Sequence, residues 1–496
     1  MLQTIRHEDS SGQLQTLTVE RAFDMARKSL RQRDRARSLL QQVVKLDPAH
    51  RDAWNLLGMI HRQARQPLLA ISCFEKAIAL GEVSAKVATL LAWRLTQEGK
   101  REQALAYLLY LLKFPHPDET AAQLHAHVAH ALNEVACFEA AIEHFRQALT
   151  LSPTPKVRAQ ALNGLGHALV QLDRFEEAAP CFEEALLVPD DPAITAERHC
   201  NLGTALGELG EFEEELNCYR RALALAPTPL AHLNYSLAVL RQGNFALGWR
   251  EYEHRWGEGA PQCGVRRSFA EPLWDGGDIS GRRILLHAEQ GQGDTIQFAR
   301  YVPLVAARGA EVILEVQPAL KRLLSGLRGP SAVLARGEAL PQFDVQCPLL
   351  SLPLAFGTTL ATIPDGIPYV QAGDEARQTW QVRLGQETRL KVGLVWAGSP
   401  SHKKDLIRSA PAECLAPLLG IRGARFYSFQ VGPRSADCGR LEQSGPLNDL
   451  SPLLTDYNET AAALAQMDLL LSVDTSVAHL GGALGVETWV LLPAIA

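Results

Sequence analysis

Two patterns of hydrophobic and polar positions divide the chain. Up to about residue 256, apolar residues recur at helical spacing and small residues return at fixed steps. Trp54, Leu57, Gly58, His61, Ala70, Phe74 and Ala77 set a pattern that recurs at Leu162, Leu165, Gly166, Leu169, Ala178, Phe182 and Ala185, with weaker copies from His125 and His199. The small residue between paired helices falls at Ala36, Ala70, Ala104, Ala141 and Ala178, a spacing of 34 or 37 residues. The run HLNYSLAVLRQGNFALGWREYEHRW continues the helical pattern and adds Trp249, Tyr252 and Trp256, large side chains suited to fixing the array to its neighbour. Periodicity then stops at Gly257, and residues 257–268 read as a linker.

From Phe269 the pattern changes to alternating strand and helix, the signature of an α/β region. Ile284 to Leu286 with Ala288 predict a buried strand, the glycines of EQGQGD a turn, and Thr295 to Val305 a helix. A strand at 311–317, a short helix to Leu327 and a strand near 343–346 complete a first half, 269–375. Residues 364–388 bridge to a second half, 388–496, with strands at 391–396, 425–429, 469–473 and 488–492 and helices near 412–419, 459–467 and 475–484.

The repeat positions resemble the tetratricopeptide repeat, in which small residues let two antiparallel helices approach and a proline follows the second helix, as Pro48, Pro153, Pro189 and Pro227 do here. The resemblance covers residues 17–256, about six and a half helix pairs, and implies a right-handed superhelix. Glu215 departs from it, standing where the sixth copy should carry alanine. Such a stack leaves a concave groove for a protein or peptide partner; its blander use is as a rigid spacer.

Composition narrows the function classes. A net charge of −6 gives no basic footprint, so nucleic acid is not an expected partner. The nine cysteines are scattered without a CxxC pair, so neither a disulfide framework nor a zinc site is predicted. The N-terminus lacks an apolar signal core and no run of 18 apolar residues occurs, which predicts a cytoplasmic protein without a transmembrane segment.

Three stretches can carry chemistry. In EQGQGD (Glu289, Gln290, Gly291, Gln292, Gly293, Asp294), two glycines and an acid follow a strand. Gly291 and Gly293 fit the start of a dinucleotide fingerprint, with Glu315 placed 22 residues after Gly293 for a ribose. Against that reading, Ile296 is too bulky for the third small position and Asp294 sets a carboxylate where a pyrophosphate would lie; a purely structural turn also fits. In LLLSVDTSVAHLGGALGV, Asp474 ends a strand, Thr475 and Ser476 open a helix whose free N–H groups suit a diphosphate, and His479 sits one turn in. A plain N-cap and a core histidine are the alternative. In VGLVWAGSPSHKKDLIRSAP, Ser399 lies in a turn after a strand, and Lys403, Lys404 and Arg408 supply cations that would neutralise a departing diphosphate, or simply form a solvated face.

Together EQGQGD, FARYVP, CPLLSLP, GLVWAGSP, IRSAP and SVDTSVAHLGGALG resemble the bacterial repeat-containing glycosyltransferases related to lipopolysaccharide heptosyltransferases. The resemblance implies two tandem Rossmann-like halves of the GT-B fold, Asp294 as general base, and DTSVAH as the sugar-nucleotide diphosphate site. It also implies no cofactor beyond the nucleotide-sugar substrate. The chain has no D-x-D, so no metal is expected at the diphosphate. That family continues past the strand at which this chain stops, so the second half is expected to be incomplete. The function implied is an inverting, metal-independent sugar transfer to a hydroxyl acceptor recruited by the helical array; the alternative is an interaction scaffold with an inactive transferase-like region.

Overall fold

The computed structural model describes residues 4–8, 14–30, 32–64, 69, 72–74, 76, 77, 80, 101–112, 117–151, 153–257, 267–400 and 405–493. The chain forms two compact units, Met1–Leu209 and Gly210–Ala496.

The first unit opens with an antiparallel hairpin, β1 (Thr4–Glu8) and β2 (Leu14–Thr18). Its helices are α1 (Val19–Lys28), α2 (Arg33–Leu46), α3 (Arg51–Gln63), α4 (Arg101–Leu111), α5 (Asp118–Glu134), α6 (Phe138–Thr150), α7 (Pro155–Gln171), α8 (Phe175–Leu186) and α9 (Pro192–Glu208). The repeated small residues do what their spacing predicts. Ala36, Ala104, Ala141 and Ala178 are fully buried, while Ala70 lies outside the described residues. A side-chain carbon on Gly58 would come within 2.5 Å of Phe74, and one on Gly166 within 2.7 Å of Phe182, so the same glycine-on-phenylalanine packing recurs in two copies.

The helix starts repeat as well. Pro155 and Pro192 occupy the first turns of α7 and α9, where a missing N–H costs nothing, and Thr154 and Asp191 cap them through their side-chain oxygens. The prolines expected to close helices thus sit in turns whose partner prolines open the next one. Arg198, buried on α9, donates to the carbonyls of Ala185 and Val188 at 3.0 and 3.1 Å and pairs with Asp190 at 2.7 Å, closing the end of α8.

The second unit begins with α10 (Phe212–Leu225), α11 (Pro229–Arg241), α12 (Phe245–Tyr252) and a 3-10 turn, Glu253–Trp256. The irregular Glu215 is buried on α10 and pairs with Arg241 of α11, whose guanidinium also lies 4.5 Å from the Phe212 ring. An ion pair thus replaces the small-residue contact at this step.

Two all-parallel sheets follow. The first, with order β5-β4-β3-β6, contains β3 (Arg283–His287), β4 (Glu311–Val316), β5 (Pro330–Ala335) and β6 (Val345–Pro348). The second, with order β11-β10-β7-β8-β9, contains β7 (Leu390–Val395), β8 (Ala424–Ser428), β9 (Leu447–Asp449), β10 (Leu469–Val473) and β11 (Thr488–Leu491). In each, the earliest strand lies inside the sheet and the chain builds outward on both sides. This doubly wound order creates a crevice at the strand ends where the winding reverses, between β3 and β6 and between β7 and β10.

The flanking helices are α13 (Gln292–Phe298), α14 (Val302–Ala307), α15 (Pro318–Leu324), α16 (Asp374–Leu384), α17 (Tyr457–Leu464) and α18 (Ser476–Leu484). The helix expected from Thr295 starts three residues earlier, at Gln292, and breaks into 3-10 geometry at Ala299–Tyr301 ahead of Pro303. The stretch 412–419, expected to be α-helical, lies in a continuous 3-10 run, Ala412–Gly420, that contains Pro417, which lacks an N–H to donate to an α-helical ladder. The bridge 364–388 contains α16, and β5 and β9 add edge strands to the two sheets.

The two halves pack on one another. Arg322 on α15 pairs with Asp456 and Glu459 at 3.0 Å each, and the buried Trp380 donates its indole N–H to Glu459 at 2.9 Å. Tyr369 N–H donates to Ala483 O at 3.1 Å and Gly373 N–H to Asn458 Oδ1 at 2.9 Å. One continuous core runs from Leu233 and Tyr252 through both sheets to Ala483.

Candidate functional site

The two strand-turn-helix turns face each other. Gly291 caps α13 in extended conformation, and its N–H donates to Asp294 Oδ2 at 3.0 Å. This puts the carboxylate in the first turn of the helix and not at the end of a loop. Gly293 lies against α18, where a side-chain carbon would sit 2.7 Å from His479 Cδ2 and 3.3 Å from Ser476 Cα. Only a glycine allows this approach. Tyr457 completes the junction: its hydroxyl donates to Gln292 Oε1 at 2.7 Å and lies 2.6 Å from Ser476 Oγ. With its proton on Gln292, the tyrosine receives the serine's.

Asp294, Ser476 and His479 are therefore brought together by the contact of Gly293 with His479, 186 positions apart in sequence, and Asp474 adds its charge from the neighbouring turn. Burial raises the Asp294 pKa above the usual aspartate value; the Gly291 N–H and His479 act in the opposite direction, and Asp474 reinforces the rise. The result is a half-buried carboxylate that is more basic than a surface aspartate.

The second sheet's crevice is bounded by the turns after β7 and β10. Arg408 reaches across it, donating to the Asp474 carbonyl and lying 3.4 Å from Asp474 Oδ2, while its Nε is buried with no partner among the described residues. Thr475 stands at the N-cap of α18 but its side chain does not cap; its hydroxyl is buried 3.2 Å from Ser472 Oγ. The opening N–H groups of α18 thus face the crevice without a side-chain acceptor from the N-cap. Ser399 is exposed in the turn after β7, and Lys403 and Lys404 lie outside the described residues.

The loop after β7 is held by groups that carry no recognisable motif. Gln430 Oε1 accepts from the N–H groups of Trp396 and Ala397 at 3.1 and 2.9 Å, and its Nε2 donates to Ala397 O at 3.1 Å. Ser409 Oγ accepts from Gly398 N–H at 3.1 Å and donates to the buried Asp405 at 2.9 Å, which Arg434 meets at 3.2 Å. These contacts aim Arg408 at the crevice.

The first sheet's crevice is filled by the chain itself. Arg255, fully buried in the 3-10 turn, donates to Glu289 at 3.0 and 3.3 Å, to Ser351 Oγ at 2.7 Å and to Glu253 at 2.7 Å. Burial pushes the Glu289 carboxyl up to about 7 despite this pairing, and Glu253 adds to the rise. Gln290 donates to Tyr252 Oη at 2.7 Å, and Trp249 packs edge-on against Phe298, with ring centroids 5.9 Å apart. Glu289 and Gln290 therefore secure the last array helix to β3 and are not open acceptor contacts. Glu315, the candidate ribose acid, is buried against Arg267 and so is already engaged.

Comparison with known proteins supports the array. Residues 157–228 and 25–86 each match a tetratricopeptide repeat family. Protein FlbA of Caulobacter vibrioides is 24% identical over 298 residues, covering 54% of this chain and 49% of that protein, so the chain spans about half the length of the curated relative it matches. Among solved structures, PilF of Pseudomonas aeruginosa is similar at 15% identity and a TM-score of 0.36, over 45% of this chain and 97% of that one. The repeat protein YrrB, described as having an unusual peptide-binding site, is similar at 18% identity and a TM-score of 0.30, over 33% of this chain and 83% of that one. No helix among the described residues is long and apolar enough to cross a membrane. The segments 25–86 and 157–228 carry tetratricopeptide repeat sequence, and an α/β region of two parallel sheets follows the described helices.

Proposed function

We propose that the protein is a cytoplasmic, inverting glycosyltransferase of GT-B architecture, with two Rossmann-like halves, that moves a sugar from a nucleotide diphosphate to a hydroxyl acceptor. The observation that carries this reading is the opposition of a basic, half-buried carboxylate, Asp294, to the opening turn of α18 across the Gly293 contact. In this mechanism Asp294 takes the proton of the acceptor hydroxyl as its oxygen attacks the anomeric carbon from the face opposite the leaving group. The bond to the diphosphate breaks, and its charge passes to the N–H groups of α18 and to Arg408, with no metal required. The helical array recruits the acceptor, carried on a protein or peptide held in its groove.

The test is titration of nucleoside diphosphates into the native chain, Ser476→Pro and Arg408→Ala by calorimetry, with circular dichroism checking each fold. Proline is tolerated at the first position of a helix but removes one N–H, so binding should weaken several-fold in Ser476→Pro. Ser476→Ala controls for the hydroxyl lost to Tyr457. If a well-folded native chain binds no nucleoside diphosphate of any common base, an interaction scaffold built on the repeats takes the place of the transferase.

A further inference from the structure

Three side chains converge at the end of the helical array and play no part in the site above. His232 projects from α11, Glu251 from α12 and His254 from the 3-10 turn. His232 Nδ1 lies 2.5 Å from Glu251 Oε2, and the imidazoles of His232 and His254 stack with centroids 3.8 Å apart and planes 11° apart. One ligating atom from each of the three lies within 4.8 Å of the others, and among the described residues this is the group of three that does so. Glu251 and His254 are three positions apart on continuous helical backbone, which puts them on one face.

Two imidazoles and one carboxylate form a ligand set for a zinc-class cation, leaving a fourth position for water. The set is poor for magnesium, which prefers an all-oxygen shell. We propose that His232, Glu251 and His254 bind one divalent transition-metal ion, which cross-braces α11 to the corner formed by α12 and the 3-10 turn. The cation takes the place of the proton held between His232 Nδ1 and Glu251 Oε2, and that proton leaves to solvent. Bonds of about 2.0–2.1 Å in tetrahedral geometry require those two atoms to part to roughly 3.3 Å and the stacked imidazoles to tilt out of parallel so that both in-plane lone pairs meet at the ion, movements made by side-chain torsions.

The position gives the brace a consequence. Glu253 and Arg255, interleaved with the ligands Glu251 and His254, are the residues that grip Ser351 and Glu289 beside the EQGQGD turn. Fixing the ligands fixes the turn that carries Arg255, and with it the attachment of the last array helix to β3.

The experiment uses the full chain, stripped with a chelator and titrated with Zn²⁺ by calorimetry beside His254→Gln and His232→Gln. His254 is exposed, so glutamine there should leave the fold intact; circular dichroism checks both variants. The native chain should show a Zn²⁺ site that each variant weakens by at least ~10-fold. Co²⁺ should give a visible ligand-field spectrum in the native chain that is lost in both variants, and Zn²⁺ should raise the thermal unfolding temperature of the native chain alone. Zn²⁺ binding of equal affinity in the native chain and both variants would assign the metal elsewhere and overturn the proposal. Absence of binding to the native chain would overturn it equally.

Discussion

A carboxylate that removes a proton from an alcohol must be basic and must stay reachable, and Asp294 meets both conditions because it is half-buried and tethered by backbone N–H groups of its own turn. Asp294→Asn should lower kcat by roughly 10²- to 10⁴-fold while leaving nucleoside diphosphate affinity nearly unchanged. The carboxylate acts only when ionised, so turnover is retained above its raised pKa and lost as pH falls through it. The acid limb of the rate profile should therefore lie above the ordinary aspartate range, and a limb within that range would remove Asp294 from the role. Most of this site is legible in the sequence, because a strand followed by glycines or by Asp-Thr-Ser has few ways to fold, and each such turn announces its helix start. Tyr457 is not legible: it bonds Gln292 across 165 positions, and no local pattern marks such a pair. Asp405, Ser409, Gln430 and Arg434 stay hidden for the same reason. Glu289 reads as part of the turn, but its structural role depends on Arg255, 34 residues upstream and beyond the linker.

At the scale of elements, the repeat helices are legible because each fixed position has one steric task. Gly166 shows the balance. Alanine there gains about 1 kcal/mol of helix propensity, but its methyl would lie 2.7 Å from the ring of the fully buried Phe182, and overpacking of this kind costs about 1–3 kcal/mol. Because that ring is fully buried, Gly166→Ala should lower the stability of the array, by up to about 2 kcal/mol; an increase in its unfolding temperature would contradict the packing. The anchoring turn behaves differently. Glu289 has a folded-state pKa of about 7 against an ordinary value of 4.5, so its contribution to stability is complete below about 4.5 and is lost as pH rises through 7. His287, buried beside it and lowered to about 4, works in the opposite sense, losing stability as pH falls from 6.5. The two slopes overlap and partly cancel in the native chain, so only a comparison isolates one. Between pH 5 and 7.5, Glu289→Gln should gain roughly 1–3 kcal/mol relative to the native chain, measured by denaturant unfolding at each pH. A pH-independent difference would mean that the carboxyl is ionised throughout. Elements of low contrast are the ones the sequence conceals: β5 is only half-buried and β9 is three residues long, while α16 buries Ala376, Trp380 and Leu384 within an otherwise polar run.

At the scale of the whole molecule, alternation of strand and helix predicts parallel sheets, and both sheets are parallel throughout. The alternation does not reveal which elements share a core. One hydrophobic core links α11 and α12 to both sheets, whereas the helices from Val19 to Gln63 close over a separate core that includes Ile5 and Leu17 of the hairpin. Leu233 and Tyr252 carry repeat periodicity yet belong to the sheets' core, because the aromatic and charged residues of the last helix pack on β3 and α13. Cooperative unfolding follows shared cores and not sequence pattern. Calorimetry of the full chain should therefore resolve two transitions, one for each compact unit, with the two sheets melting together. A ligand stabilises only the unit that binds it. A nucleoside diphosphate at 100 times its Kd adds about 2.7 kcal/mol, enough to raise the transition of the sheet-containing unit by roughly 5 °C while the other stays in place. The Asp294→Asn variant should show the same displacement, since its loss lies in proton transfer and not in donor binding. Separate melting of the two sheets would break the shared core, and equal displacement of both transitions would move the diphosphate away from the crevice between β7 and β10.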